Sequence, residues 1–197
     1  MSVNVQVKRA VFLVWLLMVP AGMWFVFNAY PPQNSDHWVD ILAFLVLAAI
    51  VASMPMVINN TPIFLIQWVS LATFLSFGLF VEMIFVQIAV IVLLLKLKVQ
   101  KDQFFRFPLN FNMFFLVSLI SGFVYYSLGG RTGSNLLTDT RSLWLAAFYV
   151  VLNYCLNQII VSFNLYFIYK SKESYFGKDF VWETVTSLIT FPIGFVL

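Results

Sequence analysis

At 197 residues, with 62% hydrophobic side chains and only 10% charged ones, the chain cannot cover a soluble surface, for which about 25% charge is usual. A mean hydropathy of +0.93 and continuous apolar runs indicate membrane-crossing helices rather than barrel strands, whose apolar signal alternates. The net charge of +3 is distributed between the apolar runs, which excludes a nucleic-acid surface, and a single cysteine excludes a disulfide framework.

The first apolar run covers residues 10–30, follows Lys8 and Arg9, and stops at Pro31 and Pro32. It is long and aromatic and lacks a small-residue cleavage site, so it reads as a retained span and not as a leader peptide. The second covers residues 38–58. The turn Asn59-Asn60-Thr61-Pro62 follows, because a residue before proline is driven out of helix geometry. Residues 62–97 are too many for one span of about 20 residues. Gly78 is the helix-weak position that divides them into a short third helix and a fourth ending at Lys96. The fifth run, 111–128, ends at Gly129 and Gly130; the sixth is 142–169; the seventh begins near Phe180 and is still apolar at Leu197. The expected fold is an all-α polytopic bundle of about seven spans, a single membrane unit over residues 1–197.

Orientation follows from the basic residues. With the N-terminus inside, the inner segments hold Lys8, Arg9, Lys96, Lys98, Lys101, Arg106, Lys170, Lys172 and Lys178, and the outer ones only Arg131 and Arg141. The expectation is a cytoplasmic N-terminus in a cell membrane, with the lipid bilayer as the main partner. An odd number of spans leaves Leu197 outside or within the bilayer, in an apolar run without polar flank. One more span is therefore expected after it.

Residues for catalysis are not grouped. His37 stands between Asp36 and Trp38 without a second metal ligand nearby and reads as a solvated loop residue. The glycines of "SLGGRTGSN" lack the Lys-Ser/Thr ending of a phosphate-binding loop. Glu82, Asp102 and Glu183 fall in separate segments, and no cofactor pattern is present. Cys155 reads as a small apolar packing residue. Glu82, at the start of the fourth helix, has two readings. Near the interface it is an acidic residue in a first helical turn, favoured by the dipole. Within the bilayer it needs a proton or a partner and becomes a functional candidate. Trp38, Trp68, Trp144 and Trp182 fit an interfacial aromatic belt, with Trp182 also a candidate to line a ligand pocket.

The sixth run carries Asn153, Asn157 and Asn164 near one helical face, with Gln158 turned about 100° away. Amides facing lipid would be unpaired, so this face is expected to look into the bundle. There the amides are either interhelical glue, at about 0.6–2 kcal/mol each, or the lining of a pocket for a small molecule. Asn110 and Asn112 stand at the inner end of the fifth run, and Ser118, Ser121 and Gly122 give it a small-residue patch for close helix approach.

The fifth run "FNMFFLVSLISGFVYYSLGG", the Asn-rich sixth, and the loop before the seventh run with that run's "FPIG" together resemble the multi-span N-terminal sensory modules of bacterial signalling proteins. Those modules precede cytoplasmic GGDEF or HD-GYP domains, which make or degrade cyclic di-GMP. The resemblance covers roughly residues 60–197, at Asn112, Gly122, Tyr125, Gly129, Gly130, Asn157, Trp182, Pro192 and Gly194. It implies a sensory or anchoring module of a diguanylate cyclase, with homodimers formed through the attached domain; the GGDEF residues themselves are not in this sequence. The alternative is the substrate-binding subunit of an energy-coupling-factor vitamin transporter, docking through small residues such as Ala48 and Ala52.

Overall fold

The computed structural model describes residues 3–58, 61–63, 66–133 and 140–170, together with Val181, Thr184, Val185 and Ile193. Among the described residues there are six α-helices: α1 (Val5–Ala29), α2 (Trp38–Ser53), α3 (Gln67–Phe77), α4 (Leu79–Lys96), α5 (Arg106–Ser127) and α6 (Thr140–Phe163). Between α2 and α3 lie two short antiparallel strands, β1 (Met56–Ile58) and β2 (Thr61–Ile63), with Val57 opposite Pro62. Helices α1 and α4 are long and apolar enough to cross a membrane, as are α5 with the 3-10 turn before it and α6 with the π-helical turn after it. This makes a helical membrane protein with four such helices; about seven spans is more than the described residues display. The region of the expected seventh helix lies outside them except for Val181, Thr184, Val185 and Ile193, whose backbone is helical.

Local chemistry sets the boundaries. Asn4 caps α1 by accepting from the Gln6 amide at 3.0 Å, so the helix starts before the apolar run does. The second helix ends at Ser53 rather than near residue 58. Pro55 explains the difference, since it restricts Met54 and has no N–H to continue the ladder. The 16 residues of α2 span about 24 Å, less than the roughly 30 Å of a hydrocarbon core. The fifth helix starts at Arg106, several residues ahead of the apolar run, and admits Pro108 in its first turn, where amides have no intrahelical partner.

Its other end has a two-glycine cap. Gly129, at φ 86°, donates to Tyr126 O at 3.0 Å, and Gly130 donates to Tyr125 O at the same distance. That is the Schellman arrangement, with glycine in the left-handed position. The sixth helix passes at Asn164 into a π-helical turn, Asn164–Ile168, closed by the Tyr169 amide on Asn164 O at 3.1 Å.

Gly78 divides α3 from α4, as its sequence position suggests. Its φ of 90° and ψ of 175° are open to glycine and strained for other residues. If the helix ran straight, Ser70 and Glu82 would be about 18 Å apart. Instead their side chains are hydrogen-bonded, so α4 folds back on α3. The turn is held from outside: Gln33 N donates to Phe77 O at 3.0 Å, Asn34 Nδ2 to Ser76 O at 3.0 Å, and Gly133 N to Leu75 O at 2.7 Å. Three terminal carbonyls of α3 thereby gain donors from two other loops.

Helix directions alternate. Leu79 against Gly122, Glu82 against Ser118 and Gln87 against Phe111 set α4 antiparallel to α5. Lys8 with Asp102, Trp15 with Phe111, Gly22 with Phe115 and Tyr30 with Tyr126 set α1 parallel to α5. One end of the bundle therefore gathers Lys8, Asp102, Phe105 and Tyr169, and the other Tyr30, Gln33, Gly78, Tyr126 and Gly133. The main core sits between them, on Val26, Leu71, Phe74, Leu79, Met83, Phe115, Tyr125, Ala146 and Tyr149. Phe74 stacks on Tyr149 with centroids 4.2 Å apart.

Candidate functional site

The α3–α4 hairpin brings a carboxyl into the packed interior. Glu82 stands in the first turn of α4, where an acidic side chain suits the helix dipole, yet its exposure is 0%. The first-turn reading thus has the position right and the surroundings wrong: Glu82 lies inside the bundle, between α3 and α5. Ser70 of α3 donates its hydroxyl to Glu82 Oε1, and Ser118 of α5 donates to the same oxygen at 2.9 Å. The second carboxyl oxygen, Oε2, has no hydrogen-bond partner among the described residues.

Two further hydroxyls share these faces. Thr73 is one turn along α3 from Ser70, and Ser121 one turn along α5 from Ser118, so each pair lies on one side of its helix. Thr73 and Ser121 are both 0% exposed, and neither hydroxyl has a partner among the described residues. The Tyr149 hydroxyl of α6 is also buried, and the ring is within electrostatic reach of Glu82. An unpaired polar group in such a place costs about 1–3 kcal/mol, so this concentration calls for an explanation beyond packing.

Close approach makes the cluster. A Cβ on Gly122 would lie 2.6 Å from Leu79 Cδ1, so α4 and α5 reach this distance only because residue 122 has no side chain. Ser118, Ser121 and Gly122 form the small-residue face anticipated for α5; all three are buried, Ser118 and Gly122 against α4. The sequence shows that face only as small; in the structure Ser118 is also a donor to the carboxyl. Ser70 and Thr73 were not anticipated. Their signal was present as hydroxyl residues three apart in an apolar helix, but nothing local tied them to Glu82.

The other candidates are placed elsewhere. Asn112 is buried and donates to the carbonyl of Val11 in α1 at 3.1 Å, while its own Oδ1 is unpaired. It ties α5 to α1 and does not join the Glu82 cluster. On α6 the outward stripe is Val151, Cys155, Ile159 and Phe163, all exposed. Cys155 is therefore not an interior packing residue; spacing by four puts it on the outer face. Asn153, Asn157 and Asn164 lie off that stripe and are half-buried. Gln158 is the deepest amide of the row; among the described residues neither of its polar atoms nor Asn157 Oδ1 has a partner. The Tyr154 hydroxyl is hydrogen-bonded to that of Thr184, which brings residue 184 alongside α6. Trp182 and Glu183 lie outside the described residues.

Exposed Trp38 opens α2 and exposed Trp144 lies just past the first turn of α6, whereas Trp68 packs on a core cluster. His37 is exposed and pairs with Asp40 at 3.2 Å. Among the described residues no group of three His, Cys, Asp or Glu side chains could hold a metal ion. Ala48 and Ala52 are buried with Val69 and Ala89, so the spacing that suggested docking to a transporter partner is used within the chain. A mostly apolar groove of about 740 Å³ opens between α1 and the start of α5, lined by Lys8, Trp15, Lys101, Phe105 and Phe111. It belongs to the bundle end away from Gly78 and contains none of the anticipated polar residues. No protein-family model, curated protein or solved structure matches the chain.

Proposed function

We propose that the chain is the membrane-embedded sensory or anchoring module of a bacterial cyclic di-GMP signalling protein, with a diguanylate cyclase as its parent. The observation that carries a sensory role is the buried carboxyl of Glu82, hydrogen-bonded from two other helices and left with one oxygen unpaired. Such a centre links the packing of α3, α4 and α5 to whatever interacts with the carboxyl. A stimulus can shift that packing only by interacting differently with two arrangements, and a half-satisfied carboxyl offers such a difference. The cyclic di-GMP output rests on the resemblance of the fifth and sixth runs to such modules. Clustering of Lys and Arg at the bundle end that holds Lys8 and Asp102 supports a cytoplasmic N-terminus in the cell membrane. Dimerisation would come through the attached domain.

The test is cyclic di-GMP output from the full gene product in cells devoid of other diguanylate cyclases. Expression should raise the nucleotide, and Glu82→Gln should change that level while the amount of protein in the membrane stays the same. No change in cyclic di-GMP on expression of the parent would overturn the signalling reading. In a Cys155→Ser background, Arg131→Cys should react with an impermeant thiol reagent applied to intact cells, and Lys101→Cys should not. The reverse pattern would overturn the orientation.

A further inference from the structure

We infer that the Glu82 cluster is a binding site for a small monovalent cation, sodium in kind. It concerns the same carboxyl as the proposed function but is read by binding, so either can fail without the other. The donor set is all oxygen: the two carboxyl oxygens of Glu82, and the hydroxyls of Ser70 and Ser118 that already touch it. Thr73 and Ser121 add two buried hydroxyls on the same helix faces, both unpartnered. Hard oxygen ligands of this type suit alkali and alkaline-earth ions, not the softer metals that take nitrogen or sulfur.

Charge selects among them. The cluster carries one carboxylate, and among the described residues neither Lys nor Arg contacts it; its other titratable neighbours there are Tyr149 of α6 and Tyr126 of α5. One monovalent cation makes the site neutral overall, whereas a divalent one would leave a net positive charge inside an apolar bundle. Size selects again. Ser118 and Glu82 oxygens stand 2.9 Å apart, and α4 cannot retreat from α5 without losing the contact of Leu79 with Gly122. A compact oxygen cage favours sodium over the larger potassium.

Hydroxyl chemistry makes occupancy compatible with the observed bonds. A serine or threonine hydroxyl has one donor hydrogen and two lone pairs. Ser70 and Ser118 can keep their hydrogens on Oε1 while turning a lone pair to the ion, and Oε2, to which nothing among the described residues donates, becomes its charged ligand. The arrangement also accounts for why three buried oxygens on three helices share the same lack of partners.

The experiment uses the full chain purified in detergent, followed by tryptophan fluorescence during heating at one pH. The salts are sodium, potassium and choline chloride at equal ionic strength. Sodium should raise the unfolding midpoint in a saturable way, potassium less, and choline not at all, since a ligand bound only by the folded state stabilises it. Ser118→Ala, which keeps the carboxyl and removes one oxygen, should move the half-saturating sodium concentration up by roughly tenfold or more. Glu82→Gln should abolish the increment; if that variant does not fold, the Ser118→Ala shift decides. Equal midpoints in sodium and choline would overturn the proposal, as would a sodium increment untouched by Ser118→Ala.

Discussion

The α3–α4–α5 core and the amide-bearing half of α6 place polar side chains in apolar helices, with opposite results. In the first, one carboxyl collects two hydroxyl donors from neighbouring helices and is sealed at 0% exposure. In the second, Asn153, Asn157 and Asn164 are half-buried, and buried Gln158 has neither polar atom paired. The difference is the neighbour. Glu82 faces serines on helices brought close by Gly78 and Gly122, while Gln158 and the Asn157 oxygen meet no partner among the described residues. A polar residue in an apolar helix is therefore a question about the helix opposite, and its own sequence window does not answer it.

The sharpest break of that contrast is at Gly122. A Cβ there meets Leu79 at 2.6 Å, so Gly122→Leu should force α4 from α5 and pull Ser118 from Glu82. A loss of about 3 kcal/mol is expected, at the upper end of overpacking costs, read as a lowered unfolding midpoint in detergent. A midpoint equal to that of the parent would show that the two helices do not depend on this contact.

Ser118→Ala removes one of the two donors to Glu82 without adding volume, and should cost about 1–2 kcal/mol in sodium-free buffer. Ser162→Ala on α6 deletes a hydroxyl with no partner, and should cost less than half as much. Equal losses would erase the distinction between the two regions.

The smallest effect is expected where the sequence drew most attention. Asn157→Leu should change stability by less than about 1 kcal/mol, since its buried oxygen makes no hydrogen bond to lose. A larger loss would mean that Asn157 has an energetic role as helix glue after all, and would bring the two regions together.

Several features were readable before any fold. Apolar run length and scarcity of charge determined a helical membrane protein, because backbone in hydrocarbon must satisfy itself. Gly78, Gly129 and Gly130 marked helix ends: at Gly78 and Gly129 only glycine adopts the positive-φ backbone without strain, and a Cβ on Gly130 would meet the Tyr125 ring. The small face of Ser118, Ser121 and Gly122 was legible as a place of close approach.

Other boundaries and partners were not legible. Pro55 shortened the second helix where apolar composition continued, because a missing N–H outweighs hydropathy. The outward face of Cys155 depended on which side of α6 met α5. Above all, the site at Glu82 was divided in the sequence among residues 70, 82 and 118. Each of the three is ordinary in its own window: two serines in apolar helices and an acid in a first turn. Only the fold-back at Gly78 and the antiparallel register of α4 on α5 bring them within hydrogen-bonding distance, because such contacts are set by helix packing and not by spacing along one helix.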